Sequence, residues 1–332
     1  MSTTPFLNTQ QLQWLEQQCT QRQQTIQHIV ALQEHADHRK YYRIITQSDS
    51  IICMHAMTKF NATPFLESTR TLANLGLPIA QVLSHSEKLK LTLIEDFGKV
   101  SLLSLAKHRH NDYLFYYYQS IDTLIDWQRK TQNLTPPTNY DQNKALTDAQ
   151  LCITWFCHQW ANISLNHSQQ ILWERTLAYI NDLWQQIPQT ICHRDYHADN
   201  LLVSNNRIGI IDHQDLATGP IYYDIASLLN DHYITHSPTL QEKLLSYYLR
   251  SQDTTLLTDR EHYYIVVYQR HLKNLGIFCR LHCRDNKSWY LKFLPRMLHV
   301  MELCATHLPK LRPLTDLLYQ TYLMRTSLRS SA

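Results

Sequence analysis

His193, Asp195 and Asn200 stand in the pattern H-x-D-x-x-x-x-N, and Asp212 follows after two short apolar runs, "NLLVS" and "RIGIID", separated by two asparagines. An aspartate alone is most often a turn or helix cap. Four such groups at these intervals, with an apolar hairpin between the last two, are what phosphoryl transfer requires. One carboxylate accepts the proton of an attacking hydroxyl, which is the part open to Asp195. An amide oxygen and a second carboxylate hold Mg²⁺, an ion that prefers hard oxygen donors, which is the part open to Asn200 and Asp212. His193 fits better as a buried support of the loop than as a reacting group.

These groups need a scaffold, and the chain divides near residue 97 into two regions of different periodicity. In the first, "QQLQWLEQQCTQRQQTIQHIVALQ" predicts a helix, "KYYRIITQ" and "SIICMHAM" two strands, "PFLESTRTLANLG" a helix and "LKLTLIEDF" a strand. Beyond Gly98 the segments "YLFYYYQSIDTLIDWQRK", "KALTDAQLCITWFCHQWAN" and "QQILWERTLAYINDLWQQI" carry helical periodicity, and the hairpin before Asp212 is the main β signal. The expected fold is α+β and bilobal, protein-kinase-like, with a small β-rich N-terminal lobe over 1–96 that binds nucleotide and a large, mainly helical lobe over 97–332 that carries catalysis and substrate.

Composition narrows the partner. The 332 residues are 44% hydrophobic and 18% charged with a formal net charge of +3, and the basic residues are scattered, which argues against nucleic acid. No window reaches the roughly 20 apolar residues of a membrane span. The start lacks the basic and apolar regions of a signal peptide, so the expected location is the cytoplasm, with the eight cysteines as reduced thiols. Cys152 with Cys157 and Cys279 with Cys283 lack zinc-ribbon spacing, so a structural metal is not expected. The stretch between Asp212 and "GPIYYD" is too short for a peptide-docking activation segment, and no A-P-E follows, so the acceptor is expected to be a small molecule.

The segments "HRDYHADNLL", "IDHQDLATGPIYYDIASLL", "LIEDFG" and "LKNLGIFCRLHCRDNKSWYLKFLPR" resemble the aminoglycoside phosphotransferase and choline kinase superfamily, and within it the bacterial kinases that phosphorylate the anomeric hydroxyl of N-acetylmuramate and N-acetylglucosamine in cell-wall recycling. The resemblance implies ATP and Mg²⁺ as cofactors, Asp195 as catalytic base, Asn200 and Asp212 as metal ligands, and Asp224 as a support of the catalytic loop. It places Glu95, Asp96 and Phe97 at the adenine through their backbone. Gln214 and Asp215, directly after a metal ligand, either face the sugar or close a turn.

The chain also departs from that pattern. No Gly-rich phosphate loop precedes Gly76, so "HADHRKYY" is expected to meet the phosphates, with Arg39, Lys40 and Arg43 as candidate partners. Met54 occupies the usual lysine position, His55 follows it, and His213 replaces a phenylalanine. These gaps keep a silent nucleotide-binding regulator open as an alternative, beside a kinase for another hydroxylated metabolite, an aminoglycoside or a choline-like amine. An acidic acceptor such as N-acetylmuramate calls for a cation. Arg270, Lys273, Arg280 and Arg284 lie together on one helical stretch, and Arg280, flanked by "GIF" and "RL", is the first choice.

Overall fold

The computed structural model describes residues 7–32, 39–56, 61–108, 111–136, 138–252 and 259–330. Two compact units emerge. One comprises residues 1–119 with 199–214, and the other 120–198 with 215–332. Unit 1 thus runs past the expected cut at 97 and includes the hairpin before Asp212.

In unit 1, Thr9–Gln21 forms helix α1, capped by Asn8, whose side chain accepts from the Gln11 N–H. The predicted helix over 10–33 therefore ends early. Gln23 takes a left-handed φ of 58°, and Ile26–Ala31 is strand β1. The β-branched Ile26, Ile29 and Val30 supply that preference, which the helical spacing of the preceding residues masks. Strands β2 (Arg39–Thr46) and β3 (Ser50–Ala56), helix α2 (Thr63–Asn74), and strands β4 (Val82–Ser86) and β5 (Leu91–Glu95) complete the lobe. The sheet order is β1-β2-β3-β5-β4 and every pairing is antiparallel. Strand alternation sends Ile51 and Cys53 to the face covered by Leu15 and Cys19 of α1, and Ile52 and Met54 to the face covered by Phe65 of α2. β4 gave no sequence signal because "VLSHS" is polar at three of five positions.

Helix α3 (Leu102–Lys107) follows, and α4 (Tyr113–Thr131) runs across the boundary into unit 2. There α5 (Gln142–Leu151) continues as a π-helix over Cys152–Trp160, where one long α-helix was expected, and α6 (His167–Trp184) comes next. Strand β6 (Gln189–Cys192) leads to the 3-10 turn Ala198–Asn200. β7 (Leu201–Ser204) and β8 (Arg207–Ile210) form the expected hairpin. β9 (Ala217–Pro220) then pairs antiparallel with β6. Helices α7 (Tyr223–Leu229), α8 (Pro238–Ser251), α9 (Arg260–Cys283), α10 (Leu294–His307) and α11 (Arg312–Ser330) close the chain. No described helix is long and apolar enough to cross a membrane. α9 approaches α5 so closely that a Cβ on Gly276 would lie 2.3 Å from the Leu151 carbonyl carbon.

The unit 2 core buries neutral histidines. Burial pushes the His271 and His236 imidazoles down to about 4. The unfolded chain takes up a proton near pH 6.5 at each position, whereas the folded chain refuses it until about pH 4. Their contribution is therefore complete above pH 6.5 and is lost as pH falls toward 4, by about 3 kcal/mol per histidine at the low end. The thermal midpoint is expected to drop steadily across that window, and His271→Gln to flatten the slope. An identical slope in the variant would remove His271 from this account.

Candidate active site

The hairpin sets the metal-ligand candidates. Asn205 and Asn206 both adopt left-handed φ, 49° and 61°, which suits the twist of a two-residue β-turn. The register pairs Leu201 with Ile210, so Asn200 and Ile211 stand opposite one another, and the Ile211 N–H donates to the Asn200 carbonyl at 3.1 Å. Asp212 follows at once, with φ of 64°. A non-glycine residue held there is strained, and such strain concentrates where a side chain must be aimed. Its Oδ1 accepts from Gln214 Nε2 at 2.9 Å and from Arg39 Nη2 at 3.3 Å. Two hard oxygen donors at one hairpin end suit Mg²⁺, and the donors already drawn to Oδ1 mark the negative charge collected there.

Of the candidate phosphate partners, Arg39 meets this carboxylate. Lys40 points to the opposite sheet face, beside His55, and strand alternation keeps it from acting with Arg39. Arg43 shares the Arg39 face but is committed elsewhere. It donates Nε–H to Asp96 Oδ2 at 2.5 Å, Nη2–H to Asp96 Oδ1 at 2.9 Å and Nη2–H to the Gly98 carbonyl at 2.7 Å. Asp96 in turn is buried, accepts the Ser50 hydroxyl and the Gly98 N–H, and thereby fixes the turn after β5. Burial would push the Asp96 carboxyl up, but Arg43, Ser50 and the Gly98 N–H outweigh it and hold it below the usual carboxylate range. Arg43 and Asp96 are thus a structural tie rather than a phosphate contact. Residues 33–38, including all of "HADH", lie outside the described residues.

Glu95, Asp96 and Phe97 line a cavity of about 870 Å³ with Ile51, Pro78 and Gly209. Phe97 lies directly on the hairpin. A Cβ on Gly209 would come within 2.3 Å of its ring, so only glycine permits the contact.

Met54 is fully buried between Ile52, Phe65 and Ile94, so the usual lysine position is part of the hydrophobic core. His55 meets Gln11 Nε2 at 3.1 Å, and burial followed by the Lys40 charge lowers its pKa. His213 is buried and stacks on Phe65 with ring centroids 5.5 Å apart. Thr69 spends its hydroxyl proton on the Phe65 carbonyl at 2.7 Å, so its oxygen accepts from His213 Nε2 at 2.9 Å. The imidazole therefore pins α2 to the residue after Asp212, a link that the sequence showed only as an odd substitution.

Unit 2 holds the candidate base, Asp195. The buried Asp224 carboxylate accepts the His193 N–H at 2.7 Å and the Arg194 N–H at 2.9 Å. His193 Nδ1 accepts the Asp195 N–H at 3.2 Å, while its ring edge packs on Trp127 and Tyr196. Burial pushes the Asp224 carboxyl up, against the pull of His193 and the two N–H groups. Within this network Arg194 takes φ 73° and Asp195 is exposed. Gln214 is the last residue of unit 1, and the exposed Asp215 begins the return to unit 2.

The basic residues of α9 separate. Arg270 lies over the Tyr223 ring at 4.4 Å, Lys273 pairs with Asp148 at 3.5 Å, and Arg284 pairs with Asp285 at 2.7 Å. Arg280 is half-buried near the charge of Asp285, and its Nε has no hydrogen-bond partner among the described residues.

Comparison with known proteins agrees with this arrangement. The model of the phosphotransferase enzyme family matches residues 28–262. A protein of Neisseria meningitidis named N-acetylmuramate/N-acetylglucosamine kinase is 28% identical over 86% of this chain and 88% of its own length. A protein of the same name from Pseudomonas aeruginosa is 26% identical over 85% of each. Among solved structures, a choline/ethanolamine kinase family protein from Mesorhizobium loti superposes with a TM-score of 0.62 at 14% identity, over 86% of this chain and 92% of that one. An ADP-bound aminoglycoside phosphotransferase does so with a TM-score of 0.59 at 16% identity, over 89% and 98%. The five-stranded antiparallel sheet and helical remainder are thus the kinase-like fold, and with its family model covering most of the sequence, the chain belongs to the phosphotransferase enzyme family and transfers phosphoryl groups to a hydroxyl.

Proposed function

We propose that the chain moves the γ-phosphoryl group of ATP to the anomeric hydroxyl of an N-acetylated amino sugar, N-acetylmuramate or N-acetylglucosamine, as a cytoplasmic step of peptidoglycan recycling. The observation that carries this reading is the pair of relatives named N-acetylmuramate/N-acetylglucosamine kinase, each matched over at least 85% of both lengths. ADP-bound and AMP-bound neighbours of the same fold support the nucleotide.

In this reading Asp195 takes the proton from the sugar hydroxyl, while Asn200 and Asp212 supply oxygens to Mg²⁺. The bound ion would supply positive charge against the phosphate oxygens. Arg39, already drawn to Asp212 Oδ1, adds a fixed cation on the nucleotide side, where the backbone of Glu95 to Phe97 would meet adenine. Gln214, Asp215 and Arg280 are the residues that would contact the sugar. Most of the rate enhancement comes from positioning and electrostatics, because phosphoryl transfer leaves the protein little covalent work.

Incubation with ATP and Mg²⁺ against N-acetylmuramate, N-acetylglucosamine, choline and an aminoglycoside tests the reading, with ADP release and the phosphorus resonance of the product as readouts. Sugar-dependent ADP release and an anomeric phosphate are expected. Turnover of choline or the aminoglycoside alone would move the acceptor class. Nucleotide binding with no turnover would favour the regulator, which the apolar Met54 position otherwise suggests.

A further inference from the structure

Two arginines of unit 2, Arg194 next to the proposed base in the chain and Arg270 on α9, have no carboxylate paired to either among the described residues. Arg194, the residue before Asp195, stacks over Tyr140 at 5.1 Å, and its buried Nε has no hydrogen-bond partner. Arg270 stacks over Tyr223 at 4.4 Å and donates from Nη2 to the Ser227 hydroxyl at 2.6 Å. The two tyrosines touch edge to face, with centroids 4.9 Å apart, so they hold both guanidinium groups in one cluster. A cation–π contact leaves further guanidinium N–H donors available, and a guanidinium fork matches a carboxylate.

The local charge is unbalanced. Lys273 joins the same cluster, but Asp148 answers it and is shared with Lys144 at 3.0 Å. Asp224 feels the Arg270 charge, yet both its oxygens hold backbone N–H groups. Burial pushes the Tyr223 phenol up, but Lys273, Arg270 and Arg194 outweigh it and bring it below its ordinary value, as expected beside surplus positive charge. On α9, the half-exposed Arg270, Asn274, Ile277 and Leu281 recur at helical spacing and form one stripe, while His271, Leu272, Leu275 and Cys279 are buried. Arg280 falls off that stripe, on the side of Lys273 and Gly276.

We propose that Arg194 and Arg270, set by Tyr140 and Tyr223, bind a carboxylate on the acceptor sugar and so select the acidic sugar over its neutral parent. The inference rests on the sugar-kinase reading above and deepens it. N-acetylmuramate carries its lactyl ether on C3, two bonds along the ring from the anomeric carbon, so the carboxylate must be met close to the base. Arg194 adjoins Asp195 in the chain, and its guanidinium lies over Tyr140 in the same unit. Both arginines are half-exposed, so water serves them when the neutral sugar binds, and the discrimination is a matter of tens rather than thousands.

The experiment measures kcat/KM for N-acetylmuramate and N-acetylglucosamine in the unmodified protein and in Arg194→Gln, Arg270→Gln and Arg280→Ala, with thermal midpoints to confirm folding. The ratio of acidic to neutral sugar is expected to fall about 10-fold to 100-fold in each of the first two variants. On the unmodified protein, N-acetylmuramate methyl ester should behave like N-acetylglucosamine, a readout that needs no variant to fold. An unchanged ratio in both variants, or a methyl ester used as well as the free acid, overturns the proposal. A ratio that falls only in Arg280→Ala moves the carboxylate to Arg280 and overturns it too. If the unmodified protein phosphorylates neither sugar, the sugar-kinase reading fails first and takes this inference with it.

Discussion

Asp195→Asn is expected to lower turnover by about 10²-fold to 10⁴-fold while leaving nucleotide affinity within a few-fold of the native value. The amide matches the carboxylate in size, and the loop is held through backbone groups. The Asp195 N–H on His193 and the His193 and Arg194 N–H groups on Asp224 do not involve the substituted side chain. What changes is the ability to accept a proton from the acceptor hydroxyl. Single-turnover phosphorylation beside nucleotide titration separates the two effects. Activity within a few-fold of the native protein would remove Asp195 from the role of base.

Asp212→Ala acts on the other half of the chemistry. It removes one of the two proposed oxygen ligands from an ion that demands near-octahedral geometry, and it leaves Arg39 and Gln214 without the oxygen they share. A turnover loss on the order of 10³-fold or more is expected, because the metal contributes several kcal/mol of charge stabilisation. The difference in nucleotide affinity with and without Mg²⁺ should vanish in the variant. Calorimetric titration of ATP under both conditions measures it. Equal affinity with and without Mg²⁺ in the native protein would count against Asp212 as a ligand and for a protein that binds nucleotide without turning it over.

The legible parts of this site are short in sequence. Asp195 to Asp212 spans one loop and one hairpin, and the asparagine pair between two apolar runs fixes both register and turn, so Asn200 and Asp212 could be placed together from spacing alone. The Arg43–Asp96 tie joins residues 53 positions apart. Nothing in either neighbourhood distinguishes an arginine that meets phosphate from one that locks a turn. The same holds for His213, whose partner Thr69 lies 144 positions away on α2. β1 was hidden because an amphipathic helix runs straight into it, and the left-handed Gln23 that separates them is not a residue that advertises a break. The four-residue strands β6 and β9 were hidden by their length, since each is stabilised by its partner rather than by its own pattern.

The hairpin that carries Asn200 and Asp212 belongs to the first compact unit although nearly eighty residues separate it from the rest. During synthesis from the N-terminus, the sheet, α1 and α2 all leave the ribosome before β7 and β8 exist. Until residue 214 has emerged, Phe97 lacks the glycine strand it packs on and Ile79 lacks its bridge partner Ile210. The nascent N-terminal half must therefore wait, incompletely covered, while the helices of unit 2 up to α6 are being made, and it closes only when the catalytic segment itself is threaded back into it. Completion of unit 1 and assembly of the proposed metal-binding end are in this sense one event.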